Sequence, residues 1–337
     1  MSIIKKLYYA GCSVIPLSMV SSNNVLKPLL PYHHTVSNDV LPHIYQLYKY
    51  KNTKQFENDV DLLLKHFQPV SEEQLITCLR EQKPFPKRSF LLTFDDGFRE
   101  VYDNIAPMLE RKGVPAVFFI NPAFIDNNVL FYRCKISLLI DELVKAKNKL
   151  LPAYRKALAM PDADAETVIS QLKKINQLNA HLLEEIADET GFSFQNFLKQ
   201  QQPFLQSKQV INLKARGFTI GAHSIDHPYY PLLSMAEQIS QTLRSCAAVN
   251  ALVQTSSCSF SFPHSDEPLS QDLFNELLQT NIPIFYGIQN QKWELNNRTV
   301  HRFNAERPEL DFTAQLKGLA VLAWLRNLRG TNNLLRK

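Results

Sequence analysis

Glycine is scarce in this chain. Nine glycines in 337 residues are well under half of what an average usage of about 7% would give, which excludes collagen-like repeats and glycine-rich linkers. Cysteine is sparse as well: Cys12, Cys78, Cys134, Cys246 and Cys258 are odd in number and scattered, with no Cys-x-x-Cys pair. A disulfide framework or a cysteine-built zinc module is thereby excluded, and reduced thiols are expected. No block of five consecutive Lys or Arg occurs, and a formal net charge of +5 is mild for this length, so no nucleic-acid partner is expected. A clean membrane-length apolar run is missing too. Leu7–Val20 follows Lys5 and Lys6 in the manner of a signal peptide, but Tyr8, Tyr9, Cys12, Ser13 and Pro16 interrupt it and no small-x-small cleavage site follows. Residues 1–24 read as an amphipathic N-terminal segment. The protein is expected to be cytoplasmic, with peripheral contact to the inner face of a membrane through its termini, in preference to secreted or periplasmic.

What is present is a globular composition, 45% hydrophobic and 20% charged, with 21 Phe. Apolar runs of strand length alternate with helical periodicity. Strands are expected at Val25–Tyr32, Ser89–Phe94, Val114–Ile120, Phe218–Ala222, Cys258–Phe262, Pro283–Ile288 and Asn297–Phe303. Between them lie helical patterns at 54–67, 98–112, 208–216 and 269–280, with capping-box signals at Ser71-Glu-Glu-Gln74 and Ser234-Met-Ala-Glu237. Strands joined by helices of about 15 residues make parallel βαβ units, so a distorted (β/α) barrel of about seven strands is expected over residues 25–306. The alternation breaks between 126 and 207, which holds one Gly and a Leu/Lys/Gln/Ala-rich pattern at helical period (Ile169, Leu172, Ile175, Leu178, Leu182). That segment is a helical insertion. Residues 307–337 read as a basic amphipathic helix and tail, since Leu316, Leu319, Ala320, Ala323, Trp324 and Leu328 recur at helical spacing beside Lys317, Arg326 and Arg329.

In such barrels the reactive groups gather where the strands end. Four expected strands run into Asp95-Asp96-Gly97, His223, Pro263-His264 and His33-His34. Asp95 and Asp96 would point to opposite sides, so one can hold a metal while the other acts as a base. His223-Ser-Ile-Asp-His227 spaces two imidazoles for a single ion. Either motif alone has a commoner structural explanation; together at strand ends they suggest a two-His, one-carboxylate site for one divalent ion, Zn or else Co, Ni, Mn or Fe.

These residues resemble the polysaccharide deacetylases, which share the NodB-homology domain and form carbohydrate esterase family four. The resemblance rests on Thr93-Phe-Asp-Asp-Gly97, Ala106-Pro-Met-Leu109, Val114-Pro-Ala-Val-Phe-Phe119, His223-Ser-Ile-Asp-His227-Pro228 and Phe260-Ser-Phe-Pro263. It implies a NodB-type barrel that hydrolyses N-acetyl groups of a polysaccharide or glycan precursor, with Asp95 as base and Asp96, His223 and His227 as metal ligands. The late Leu-x-x-His-Asp motif that usually supplies the general acid is absent. A branch of the family carries an N-terminal Tyr-His element instead, and Pro31-Tyr-His-His34 looks like it, which implies His33 as the acid, with His264 and His301 as alternatives. Arg302, or else Arg298, is expected to orient the base. Tyr32, Phe262, Pro263 and His264 are expected at the substrate, with Tyr229 and Trp293 as further stacking faces. Other readings stay open: a silent carbohydrate-binding barrel, or a hydrolase of O-acetyl esters or another small amide.

Overall fold

The computed structural model describes residues 8–9, 11–12, 14–16 and 28–336. Most of the expected N-terminal segment 1–24, and the start of the expected strand at 25–32, lie outside the described residues. The strands are β1 (Pro31–His33), β2 (Gln68–Pro69), β3 (Ser89–Phe90), β4 (Leu92–Phe94), β5 (Ala116–Ile120), β6 (Thr219–Ala222), β7 (Phe260–Ser261), β8 (Phe285–Gly287), β9 (Thr299–His301) and β10 (Phe303–Asn304). Eight of them form a parallel sheet in the order β10-β1-β4-β5-β6-β7-β8-β9, while β2 and β3 pair separately.

Arg302 is what joins the two edges of that sheet. Its N–H donates to the Gly287 carbonyl of β8 at 2.9 Å, and the N–H of Phe303 donates to the Leu30 carbonyl beside β1 at 3.0 Å. One continuous segment thus bonds first to one edge and then to the other, and the sheet closes into a barrel with no free edge there. With β9 and β10 as one stave, seven staves surround the interior, as the sequence pattern suggests. The unforeseen element is β2, whose Pro69 would argue against a central strand but is tolerated in a two-residue edge pair.

Side-chain alternation divides the core. Val117 and Phe119 of β5 join Tyr286 and Val300 inside the barrel, above Val70 and Leu75. Phe118 and Ile120 point outward into a layer with Phe94, Phe218 and Phe260. Helices cover that layer at 53–66, 106–111, 207–215, 235–253 and 271–278, while helix 72–80 lies against the interior cluster through Leu75. Full capping boxes start three of them, at Asn52–Gln55, Ser71–Gln74 and Ser234–Glu237. The helix expected over 98–112 is modified: 101–105 is a π-turn in which the Ala106 N–H reaches the Val101 carbonyl. Pro107 follows, and having no N–H it cannot continue the ordinary ladder.

The insertion folds into helices 132–145, 151–157, 165–172, 181–190 and 194–201 around its own apolar cluster of Leu139, Leu143, Tyr154, Leu172 and Ile186. A run of stacked rings, Phe98 on Phe204, Phe204 on Phe124, and Phe124 on Phe131, ties it to the barrel with centroid spacings of 5.0–5.4 Å. Helix 312–328 docks on the barrel through Phe312, Leu316, Leu319 and Ala323, and the Tyr8 hydroxyl donates to the Gly318 carbonyl at 2.5 Å. No helix among the described residues is long and apolar enough to cross a membrane.

Candidate active site

A cavity of about 680 Å³, open mouth included, lies where the strands end, and Asp95, Asp96, His223 and His227 line it. Its floor is the pairing of Asp95 with Arg302. The guanidinium is fully buried and forks onto the carboxylate, Nη1 to Oδ1 at 2.7 Å and Nη2 to Oδ2 at 2.8 Å. Two hydroxyls orient the fork: Nη1 also donates to Thr93 Oγ1 at 3.0 Å and Nη2 to Ser261 Oγ at 2.6 Å. The rings of Tyr32, Phe119 and Tyr286 surround it with centroids 5.0, 5.3 and 5.8 Å from the guanidinium carbon. Burial alone would raise the Asp95 carboxyl, but Arg302 outweighs it and holds the group below the ordinary aspartate value. The alternative, Arg298, is remote, its guanidinium bound to the carbonyls of Leu278, Thr280 and Ile282.

Asp96, His223 and His227 form the expected trio. Oδ1 of Asp96 lies 3.2 Å from His227 Nε2 and 3.5 Å from His223 Nε2. The ligand-type atoms of all three fall within 4.8 Å of one another. Nδ1 of His223 is spent on the Ser261 carbonyl at 2.8 Å, which leaves Nε2 with its lone pair toward the centre. Burial first, opposed by Asp95, pulls His223 down to about 4, so it is neutral and able to ligate near pH 7. Asp96 Oδ1, though buried, accepts no hydrogen bond. An orphaned carboxylate oxygen facing two imidazole nitrogens fits a divalent cation.

The backbone pays conformationally for this arrangement. Asp96, Ser224, His227 and His264 all have left-handed φ, between 56° and 73°. Asn121 supports the His223–His227 loop by donating its Nδ2 to the carbonyls of His223 and Ser224, and Ser224 Oγ accepts from the His227 N–H at 3.1 Å. Asn121 and Ser261 were missed as site supports; only their places at strand ends hinted at them.

His33 requires a correction. Its ring turns out of the barrel, stacked on Phe94 at 5.7 Å and edge-on to Phe56 at 5.3 Å, and it is absent from the cavity wall. Burial and the nearby Lys51 push it well below the usual histidine value. The next residue faces the cavity: His34 Nδ1 lies 2.7 Å from Glu306 Oε2. Burial would lower His34, but Glu306 overrides it and raises it to about 9. Glu306 also accepts the N–H groups of His34 and Thr35. Strand alternation contains the signal for His34, since it shares the face of Tyr32; nothing in sequence pairs it with a glutamate 272 residues away.

Of the expected substrate positions, Tyr32, Phe262 and His264 line the cavity, while Pro263 is buried off its wall. The Phe262 N–H is taken by the Tyr286 carbonyl at 3.0 Å and is not free to bind an oxyanion. His264 lies edge-on to His227 and near the Tyr132 hydroxyl, 3.3 Å from Nε2. His301 belongs to a separate buried cluster with Asp266, Glu294 and Arg336. Tyr229 sits beside His264, 5.6 Å between rings, whereas Trp293 pairs with the C-terminal tail at Asn333. The insertion supplies Phe131, Arg133 and Cys134 to the cavity wall.

Among solved structures, the deacetylase PplD of Streptococcus pyogenes, in complex with acetate, matches with a TM-score of 0.56 at 12% identity over 87% of this chain and 98% of that one. IcaB from Ammonifex degensii matches at 0.53 and 16% over 88% and 97%. At these identities the likeness is one of fold. A poly-beta-1,6-N-acetyl-D-glucosamine N-deacetylase of Escherichia coli strain K12 is 40% identical over 52 residues, a stretch that is 15% of this chain and only 8% of that enzyme. The family model described as polysaccharide deacetylase matches residues 82–283, more than half of the chain and the whole run from Asp95 to His264. The chain belongs to the polysaccharide deacetylase family.

Proposed function

We propose that the protein hydrolyses N-acetyl groups on an amino-sugar glycan or its precursor, at one divalent cation held by Asp96, His223 and His227, zinc being the first candidate. The observation that carries this reading is the juxtaposition at one strand-end cavity of the Asp96 oxygen and two imidazoles with the Arg302-clamped Asp95. The cation, when bound, supplies Lewis-acid activation of a water and of the acetyl carbonyl. Asp95 accepts the water's proton. The two Arg302 bonds keep it ionised and aimed, with Oδ2 4.0 Å from His223 Nε2. His34, protonated at neutral pH because of Glu306, delivers a proton to the departing amine. In this reading the acid is His34 and not His33. A silent binding barrel would have no use for an intact ligand trio beside a paired acid and base. The short likeness to an N-acetylglucosamine deacetylase supports an N-acetylated hexosamine substrate.

Attachment to a membrane surface belongs to the same reading. Residues 312–337 carry Lys317, Arg326, Arg329, Arg336 and Lys337 and no Asp or Glu, and Trp324 is 53% exposed one turn from Leu328 at 66%. That suits a peripheral enzyme acting on a lipid-linked glycan at the inner face of a membrane. The test of the activity is acetate release from N-acetylglucosamine oligomers, with bound metal counted. Release that follows metal content and disappears in Asp96→Ala supports it; no release with one ion bound per chain removes it.

A further inference from the structure

The wall contributed by the insertion has features the hydrolysis does not use. Helix 132–145 begins at the cavity, where Phe131, its N-cap, offers no side-chain acceptor. Its first backbone bond runs from the Lys135 N–H to the Phe131 carbonyl at 3.1 Å, so the N–H groups of Tyr132, Arg133 and Cys134 precede the ladder. An acidic residue commonly complements such an end; here the first turn has none and carries Arg133. A cation there is opposed by the helix dipole and costs stability unless something negative is bound. Arg133 lines the cavity and forms no ion pair among the described residues, its hydrogen-bonding neighbour being the Tyr132 hydroxyl. The other cations at the cavity are committed, Arg302 to Asp95 and His34 to Glu306.

An independent observation lies in the wall of the same cavity. His43 is only 4% exposed and lines it, yet neither ring nitrogen has a hydrogen-bond partner, and the hydroxyl of Tyr48, which lines the same cavity, is also unpartnered. Buried polar groups left open destabilise the fold unless a ligand satisfies them. Backbone amides, a guanidinium and an imidazole around one cavity are the groups that bind an oxyanion.

We infer that this wall is an oxyanion subsite, and that the substrate is an N-acetylated sugar bearing a phosphate or a carboxylate close to the acetamido group. The inference rests on the deacetylase reading above and names its substrate class. A sugar phosphate and an N-acetylated aminouronic acid present the same chemistry to Arg133.

The experiment is calorimetric titration of the full-length, metal-free protein, so that phosphate has no cation to seek. The probes are N-acetylglucosamine 1-phosphate, an N-acetylated aminouronic acid and neutral N-acetylglucosamine, against wild type, Arg133→Gln and Arg133→Lys. At least one charged sugar is expected to bind tenfold or more tighter than the neutral one, and which does so separates phosphate from carboxylate. Arg133→Gln should erase the preference, and Arg133→Lys should keep part of it. Equal binding of charged and neutral sugars by wild type overturns the subsite, as does an undiminished preference in Arg133→Gln. Acetate release by a wild type that binds charged and neutral sugars equally would leave the hydrolase standing and the subsite refuted. A charged-sugar preference in a protein that releases no acetate from any of them would do the reverse.

Discussion

Arg302 serves three purposes at once, and each follows from its chemistry. Its main chain closes the barrel, its fork fixes Asp95, and its charge offsets that of a buried carboxylate. Lysine offers a point charge where two parallel bonds are needed. Arg302→Lys should therefore lower kcat by about 100-fold or more, and Arg302→Met should cost about 3–5 kcal/mol in urea denaturation by leaving Asp95 buried and unpaired. Unchanged stability in the methionine variant would show that Asp95 does not depend on this partner. His34 supports a second expectation. Because Glu306 raises it to about 9, it stays protonated through neutral pH, and kcat/KM should hold level there and fall as pH rises through about 9. In Glu306→Gln that fall should move toward the ordinary histidine value of about 6.5. A basic limb that stays in place would separate the acid from this pair. At this scale residue type and strand-end place were enough to bring Asp95, Asp96, His223 and His227 to one cavity, whereas Arg302 was expected only from the family resemblance. His33 and His34 are neighbours, and only the direction of one short strand decides which enters the cavity.

The elements were readable where local chemistry fixes them. Ser71 and Ser234 start helices through capping boxes, and the apolar runs became β4 to β8. Long-range pairing was not readable: β2 is two residues long and exists only because β3 lies beside it, and the π-turn before Pro107 depends on how one helix meets the site loop. Helix 72–80 closes the bottom of the barrel, where Tyr286 donates its hydroxyl to Glu72 at 2.8 Å. Burial lifts Glu72 from the glutamate value of 4.5 to about 7. A carboxyl raised on folding binds its proton more tightly in the native state. Its stabilisation is complete below the unfolded value and is lost as pH rises through about 7. Glu72→Gln keeps an acceptor for Tyr286 and removes the charge, so it should gain ~1–3 kcal/mol over wild type at pH 8 and little at pH 4. Parallel stability profiles for the two proteins would exclude this coupling.

Over the whole molecule, the barrel was legible from the β-then-α alternation, and the insertion from its interruption. The closure through 299–304 and the aromatic stack from Phe98 to Phe131 were not, because both join segments far apart in sequence. The C-terminal tail is held inward by Arg336, which pairs with Asp266 and Glu294. Truncating the tail would therefore disturb the barrel, and membrane attachment is better tested at its exposed residues. Full-length protein should co-float with phosphatidylglycerol vesicles but not with phosphatidylcholine vesicles, and Trp324→Ser with Leu328→Ser should weaken this by tenfold or more; equal flotation by the double variant would exclude this face.

The proposed chemistry turns on how charge is placed around one cavity: Asp95 clamped as the base, His34 paired as the acid, and Asp96, His223 and His227 as ligands. Acetate release from N-acetylglucosamine oligomers by metal-reconstituted protein tests it most directly, with Asp95→Asn, His34→Gln and His33→Phe assayed beside wild type. Wild type should release acetate, Asp95→Asn and His34→Gln should each lose 100-fold or more, and His33→Phe should keep most of the rate. Equal losses in His33→Phe and His34→Gln, or a metal-loaded wild type that releases no acetate, would contradict it.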